Sequence, residues 1–217
     1  MEEEGDTNTL AGAAYGIFEI LLNRELTKRG KYLFERVEEG EDFREEFEEI
    51  FSGFEDEYPQ LSQALEEEPG GRDGIYNMLL EGEGVIPSRT TRMYWILQDS
   101  PAFSPEEFDD EKGGKWLIFT EKEDMDDTWK KIRDATAEGR LGISARVSTA
   151  KENPESRDDR AVIYVNTADW EDEDDVMRIR EVLRELGIGQ RIGYKRNLET
   201  YHGEYSEGGK KVTWYSA

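Results

Sequence analysis

Lys115-Trp116-Leu117-Ile118-Phe119, then Met125-Asp126-Asp127-Thr128-Trp129-Lys130-Lys131-Ile132-Arg133-Asp134-Ala135, then Ile143-Ser144-Ala145-Arg146-Val147-Ser148-Thr149: these three runs decide the fold. The first is a short β-prone run. In the second, Met125, Trp129, Ile132 and Ala135 recur at helical spacing, with Asp124 or Asp126 ahead to cap and Gly139 where a C-terminal cap belongs. The third alternates apolar Ile143, Ala145 and Val147 with polar Ser144, Arg146 and Ser148, as a half-buried strand does. Outward from this strand, helix, strand core, Ala161-Val162-Ile163-Tyr164-Val165 reads as another strand, reached through a loop with Pro154. Residues 174–186 carry Val176, Ile179, Leu183 and Leu186 in one stripe, with Gly187 after it. Residues 191–196 and 211–215 close the series as strands, the second entered through Glu207-Gly208-Gly209. Upstream, Met93-Tyr94-Trp95-Ile96-Leu97 is the first strand. The order is strand, strand, helix, strand, strand, helix, strand, strand. Short links between neighbouring strands imply antiparallel pairing, and the inserted helices cover one face, giving an α+β domain over 84–217.

Residues 1–83 read as an acidic helical segment ahead of that domain. Leu10, Ala14, Ile17 and Leu21 repeat at helical spacing after Asn8 and Thr9, which can cap, and Phe43, Phe47, Ile50, Phe51 and Phe54 do the same. The 217 residues carry 52 acids against 28 bases, a net charge of −24, with 37% charged and 35% hydrophobic residues. That balance overlaps disordered composition, but five Trp, ten Tyr and nine Phe imply a buried core. Net charge of this size keeps a protein soluble in a concentrated ionic medium and points to a salt-loving archaeal host. It repels polyphosphates at long range, so non-specific duplex binding is excluded. Without cysteine there is no disulfide, thiolate metal site or thiol nucleophile, and the single histidine leaves no His-rich zinc site. No cofactor is implied. The N-terminus is acidic and the apolar stretch 10–22 is short and holds Glu19, so neither export nor a membrane span is expected and the location is read as cytoplasmic.

Three windows, 84–98, 140–151 and 186–198, lack Asp and Glu although acids form about a quarter of the chain. They nevertheless hold Arg89, Arg92, Arg140, Arg146, Lys151, Arg191, Lys195 and Arg196. If the polar sides of their strands share the uncovered sheet face, Arg92, Arg146 and Lys195 or Arg196 converge beside Ser144, Ser148 and Thr149. Guanidinium forks with hydroxyl donors suit a phosphate or carboxylate.

The ordered words resemble translation initiation factor 4E. Phe108-Asp109-Asp110-Glu111-Lys112-Gly113-Gly114-Lys115-Trp116-Leu117-Ile118 is similar to its cap-binding loop and strand, Trp-Glu-Asp-Glu and then Gly-Gly-Arg-Trp-Leu-Ile. Within that superfamily, Ala145-Arg146-Val147-Ser148-Thr149, Tyr194-Lys195 and Thr200-Tyr201-His202-Gly203-Glu204-Tyr205 resemble the Bles family, some of whose members are labelled phosphothreonine lyases. The resemblance implies a curved, mostly antiparallel sheet with helices on one face. By position, the cap-stacking tryptophan and its glutamate fall on Phe108 and Asp109. The phosphate-contacting basic strand falls near Arg146 and Lys151, and a later tryptophan falls on Tyr164. The expectation is a binding module for a nucleotide, an RNA end or another phosphorylated small molecule, through Arg92, Phe108, Asp109, Arg146, Ser148, Lys151, Tyr164, Lys195 and Arg196. A lyase acting by β-elimination, with Lys195 as base and His202 as acid, is the alternative; Thr200 stands where such lyases place a lysine. A third reading is an interaction scaffold whose acidic N-terminal helices meet a protein partner.

Overall fold

A computed structural model describes residues 2–106, 108–153, 159–201 and 213–217. The expected turn at Glu207-Gly208-Gly209, the start of the 211–215 strand, Pro154 and His202 lie outside the described residues. Two compact units result, Met1–Ile96 with Thr149–Pro154, and Leu97–Ser148 with Glu155–Ala217. The sequence reading divides the chain between 83 and 84, whereas residues 84–96 count with the helical unit here.

The first unit holds α1 (Glu2–Lys28), α2 (Leu33–Glu39), α3 (Arg44–Glu57), α4 (Pro59–Glu66) and α5 (Gly71–Leu80). Two details of the sequence reading are corrected. The helix starts earlier than Asn8 and Thr9, since α1 is already helical from Glu2. The residues of α1 that pack inward are Ala11, Ala14, Tyr15, Phe18, Leu22 and Leu26, with Leu21 partly buried against them, while Leu10 and Ile17 are 44% and 41% exposed. Aromatic area decides between these overlapping stripes. The Phe18 ring lies 5.6, 5.0 and 5.3 Å from the rings of Phe47, Phe51 and Phe54 on α3, a cluster that Leu10 and Ile17 cannot match in buried area. Phe43, Phe47, Ile50, Phe51 and Phe54 are all buried, as their spacing predicts.

In the second unit, β1 (Trp95–Asp99), which begins in the first, is followed by β2 (Gly114–Thr120), α6 (Met125–Ala137), β3 (Ser144–Ser148), β4 (Ala161–Thr167), α7 (Glu173–Glu185), β5 (Gly193–Arg196), α8 (Asn197–Tyr201) and β6 (Tyr215–Ser216). The sheet runs β1-β3-β4-β2-β5-β6, and the pairs β2–β4, β2–β5, β3–β4 and β5–β6 are antiparallel. This is the expected α+β arrangement. Trp116, Ile118, Ala145, Val147, Ile163, Val165 and Tyr194 are buried, as are Trp129, Ile132 and Ala135 of α6 and Val176, Ile179 and Leu183 of α7. Trp116 Nε1 donates to Val176 O at 3.1 Å, which fixes α7 on the Trp116 face of the sheet. Gly187 ends α7 at φ 96°. There the Gly187 and Ile188 amides donate back to Arg184 O and Leu183 O, a left-handed cap that favours glycine. Arg180, buried in α7, donates to Ile188 O, Gln190 O and Ala217 O at 2.8, 2.7 and 3.1 Å and so holds the chain entering β5 against the last strand. Among the described residues no helix is long and apolar enough to cross a membrane.

Candidate functional site

Strand alternation decides which polar side chains can meet. On β2, Trp116 and Ile118 enter the core, so Lys115, Leu117 and Phe119 share the other face. On β4 the same rule leaves Val162, Tyr164 and Asn166, on β3 Ser144, Arg146 and Ser148, and on β5 Gly193 and Lys195. Register then lines these residues up across the sheet. Ser144 faces Asn166, Asn166 faces Lys115, and Lys115 faces Lys195. In the next row of the same face, Arg146 faces Tyr164, Tyr164 faces Leu117 and Leu117 faces Gly193. The Tyr164 ring lies between two cations, with Arg146 Cζ 4.9 Å and Lys115 Nζ 5.5 Å from its centroid.

Three positive side chains are thus gathered in a place poor in water. Lys115 and Lys195 are 7% and 9% exposed. Burial, together with the charges of Arg146 and Lys195, pulls the Lys115 ammonium down to about 8, opposed by Asp110. Burial also lowers Arg146, opposed by Tyr164 and Asp110. Asp110 reaches Lys115 through an amide: Asn197 Nδ2 donates to Asp110 Oδ1 at 2.8 Å, and Lys115 Nζ donates to Asn197 Oδ1 at 3.2 Å. Asn197 occupies that place because α8 starts directly after β5. Ser144 Oγ accepts from Asn166 Nδ2 at 2.9 Å, which fixes the polar end of the row.

Other residues singled out from the sequence are placed elsewhere. Arg196 is directed away from Lys195, since it pairs opposite Gly114 rather than Lys115. Its guanidinium binds Glu199 at 2.9 Å and lies 3.8 and 4.8 Å from the Trp214 and Trp170 ring centres, so it leaves the cation set. Arg92 belongs to the helical unit and is ion-paired with Glu68. Lys151, in the same unit, donates to Arg92 O at 2.7 Å and stands 4.4 Å from the Tyr94 ring centre. Arg140 meets Glu138 and Glu185, and Arg191 meets Ser216 Oγ. Ser148 Oγ accepts from the Val162 amide at 2.9 Å. Phe108 packs edge-on against Phe103 at 5.8 Å, and Asp109 Oδ1 accepts from the Glu111 amide at 3.1 Å within its own loop. Arg146, Tyr164 and Lys195 come together.

Lys115, Asn197 and Asp110 were not among the residues expected to bind. Lys115 was readable from its position beside the core residue Trp116, but acids at 109–111 kept it out of the acid-free windows. Asn197 and Asp110 carry no sequence signal, because they meet Lys115 only through the pairing of β2 with β5 and the loop ahead of β2.

The second unit is therefore an α+β domain of the one-sided, mostly antiparallel class, with a cation cluster on the face away from α7. Residues 111–203 match the family described as Basophilic leukemia-expressed protein Bles03. Among solved structures, the chain is similar to C. elegans eIF4E-3 in complex with the 4E-binding protein Mextli and a cap analog, at 19% identity over 57% of this chain and 68% of that one, TM-score 0.42. It is also similar to Ascaris suum eIF4E-3 with m2,2,7G cap, at 20% identity over 56% and 68%, TM-score 0.40. Schistosome eIF4E complexed with m7GpppG and 4E-BP shows 19% identity over 49% and 59%, TM-score 0.37.

Proposed function

We propose that the second unit is a binding module for a phosphorylated ligand, a nucleotide or RNA end being the chemistry that suits it, and that Lys115, Arg146 and Lys195 hold the phosphate. The observation that supports this reading is the register of two buried lysines directly opposite one another on β2 and β5, with Arg146 close enough to act on the same ammonium. Like charges held together out of water destabilise one another, and a bound anion relieves that repulsion. The Arg146 fork supplies directed donors while the lysines supply point charges. The partly exposed apolar neighbours Leu117, Val162 and Tyr164 offer a surface for the body of the ligand.

Calorimetric titration with inorganic phosphate, a nucleoside 5′-monophosphate and a 5′-phosphorylated RNA oligonucleotide tests the proposal. Arg146→Ala is expected to weaken phosphate-dependent binding roughly tenfold or more, the range for a charge-assisted contact, with an unchanged circular dichroism spectrum. Affinity equal to wild type in a folded Arg146→Ala protein would end the proposal. Quenching of tryptophan fluorescence by the nucleotide but not by the free nucleoside would place the phosphate at the centre of recognition.

A further inference from the structure

Lys115 has the surroundings of a reactive amine rather than of a plain counter-ion. Its side chain is buried, and the residue opposite it is another lysine. Its hydrogen-bond acceptor is a neutral amide oxygen, Asn197 Oδ1, with the Asp110 carboxylate one step behind. Arg146 acts on it from the third strand, across the Tyr164 ring. Neighbouring cations and loss of water both favour the neutral amine, which is how lysines are prepared for carbonyl chemistry. The same neighbours form an anion site, so a molecule carrying both a phosphate and a carbonyl would be held with its carbonyl near the amine.

We propose that Lys115 is a covalent capture site for small phosphorylated aldehydes, forming an imine with the carbonyl carbon while Arg146 and Lys195 hold the phosphate. The nitrogen lone pair of the neutral amine forms a bond to the carbonyl carbon, and the C=O π pair moves to oxygen, which takes up a proton as the nitrogen releases one. The nitrogen lone pair then forms the C=N bond as the carbon–oxygen bond breaks, and the hydroxyl takes up a proton to leave as water while the nitrogen loses its second one, so one amine and one aldehyde give one imine and one water. Asn197 Oδ1 accepts one N–H and orients the lone pair. This inference rests on the anion-binding reading of the cluster and adds bond formation to it.

The test is to treat the full chain with a stoichiometric amount of pyridoxal 5′-phosphate or glyceraldehyde 3-phosphate, reduce with borohydride and map the modified lysines by mass spectrometry. The expected result is labelling of Lys115 roughly tenfold above any other lysine, suppressed by excess inorganic phosphate and by Arg146→Ala, and lost in Lys115→Arg. Pyridoxal without its phosphate should lose the selectivity. A preference for one of the two aldehydes distinguishes an aromatic from an aliphatic ligand. The labelling rate at Lys115 should level off above pH about 8, whereas exposed lysines continue to gain reactivity toward pH ~10. Labelling spread evenly over the lysines, or absent from Lys115, overturns the inference. If wild-type protein still binds inorganic phosphate, and loses it on Arg146→Ala, only the capture step falls; if phosphate binding is missing as well, the anion site falls with it.

Discussion

At the scale of single residues, the cations of this chain divide by what faces them. Arg92 has Glu68, Arg196 has Glu199, and Arg140 has Glu138 and Glu185. Lys115 has an amide, an aromatic ring and two further cations acting on it. Its charge therefore weakens the fold in the absence of a ligand, and this has a definite pH dependence. The unfolded lysine titrates near its ordinary value of 10.5 and the folded one at about 8, so between those values the unfolded chain binds more protons and stability rises with pH. Below about 8 the full penalty is present; above 10.5 it is gone. Lys115→Met, which keeps the stem and removes the charge, is expected to stabilise the protein at pH 7 by on the order of 1 kcal/mol. Its advantage over wild type should shrink by pH 9.5, within the window set by the two values. Urea midpoints of both proteins at the two pH values check this. A constant difference, or one that grows with pH, would mean that the Lys115 ammonium is not desolvated.

At the scale of elements, pairing and register convert a list of charged residues into a candidate site. The runs around Trp116, Trp129 and Val147 and the stripe of α7 were legible because each buries one face, and a period of two or of 3.6 is written directly in the residues. Arg146 was legible for the same reason, and Tyr164 through the resemblance. Whether Lys195 or its neighbour Arg196 joins Arg146 was not, since it depends on which of the two lies opposite Lys115 in β5. A one-residue slip would exchange them. In α1 two apolar stripes overlap, and only the position of the three phenylalanines of α3 selects the one that is buried. Gly142, just ahead of β3, shows how tightly the β3–β4 pairing is held. A Cβ there would stand 1.9 Å from Asn166 O, the atom that accepts the Ile143 amide at 2.9 Å. Backbone rather than a flexible side chain is in the way, so the strands must separate locally. Gly142→Ala is expected to cost about 2–3 kcal/mol and to weaken phosphate binding, because Asn166 stands beside Lys115 in the same row. Denaturant unfolding of Gly142→Ala with a wild-type midpoint would show that the approach is looser than this geometry.

At the scale of the molecule, a net charge of −24 acts against any anionic ligand and against the folded state itself. The two effects differ in range. Repulsion among surface carboxylates is spread over the whole protein and passes largely through solvent, where the screening length falls from about 10 Å at 0.1 M salt to about 3 Å at 1 M. The Lys115, Arg146 and Lys195 cluster acts over a few ångströms among buried groups, where salt screens much less. Potassium chloride should therefore remove the general repulsion before it weakens the local attraction. The melting temperature is expected to rise by several degrees between about 0.1 and 2 M potassium chloride, as self-repulsion is screened. Sucrose at matched water activity should fail to reproduce the early part of the rise, which is electrostatic. Over the same interval the affinity for a phosphate ligand should fall far less than the steep power law of a surface that neutralises many phosphates. Differential scanning calorimetry and titration at each salt concentration measure both. A melting temperature flat in salt would mean that the acids are balanced locally by the bases around them. A steep loss of phosphate binding would place the bound anion on exposed cations instead of the Lys115 cluster.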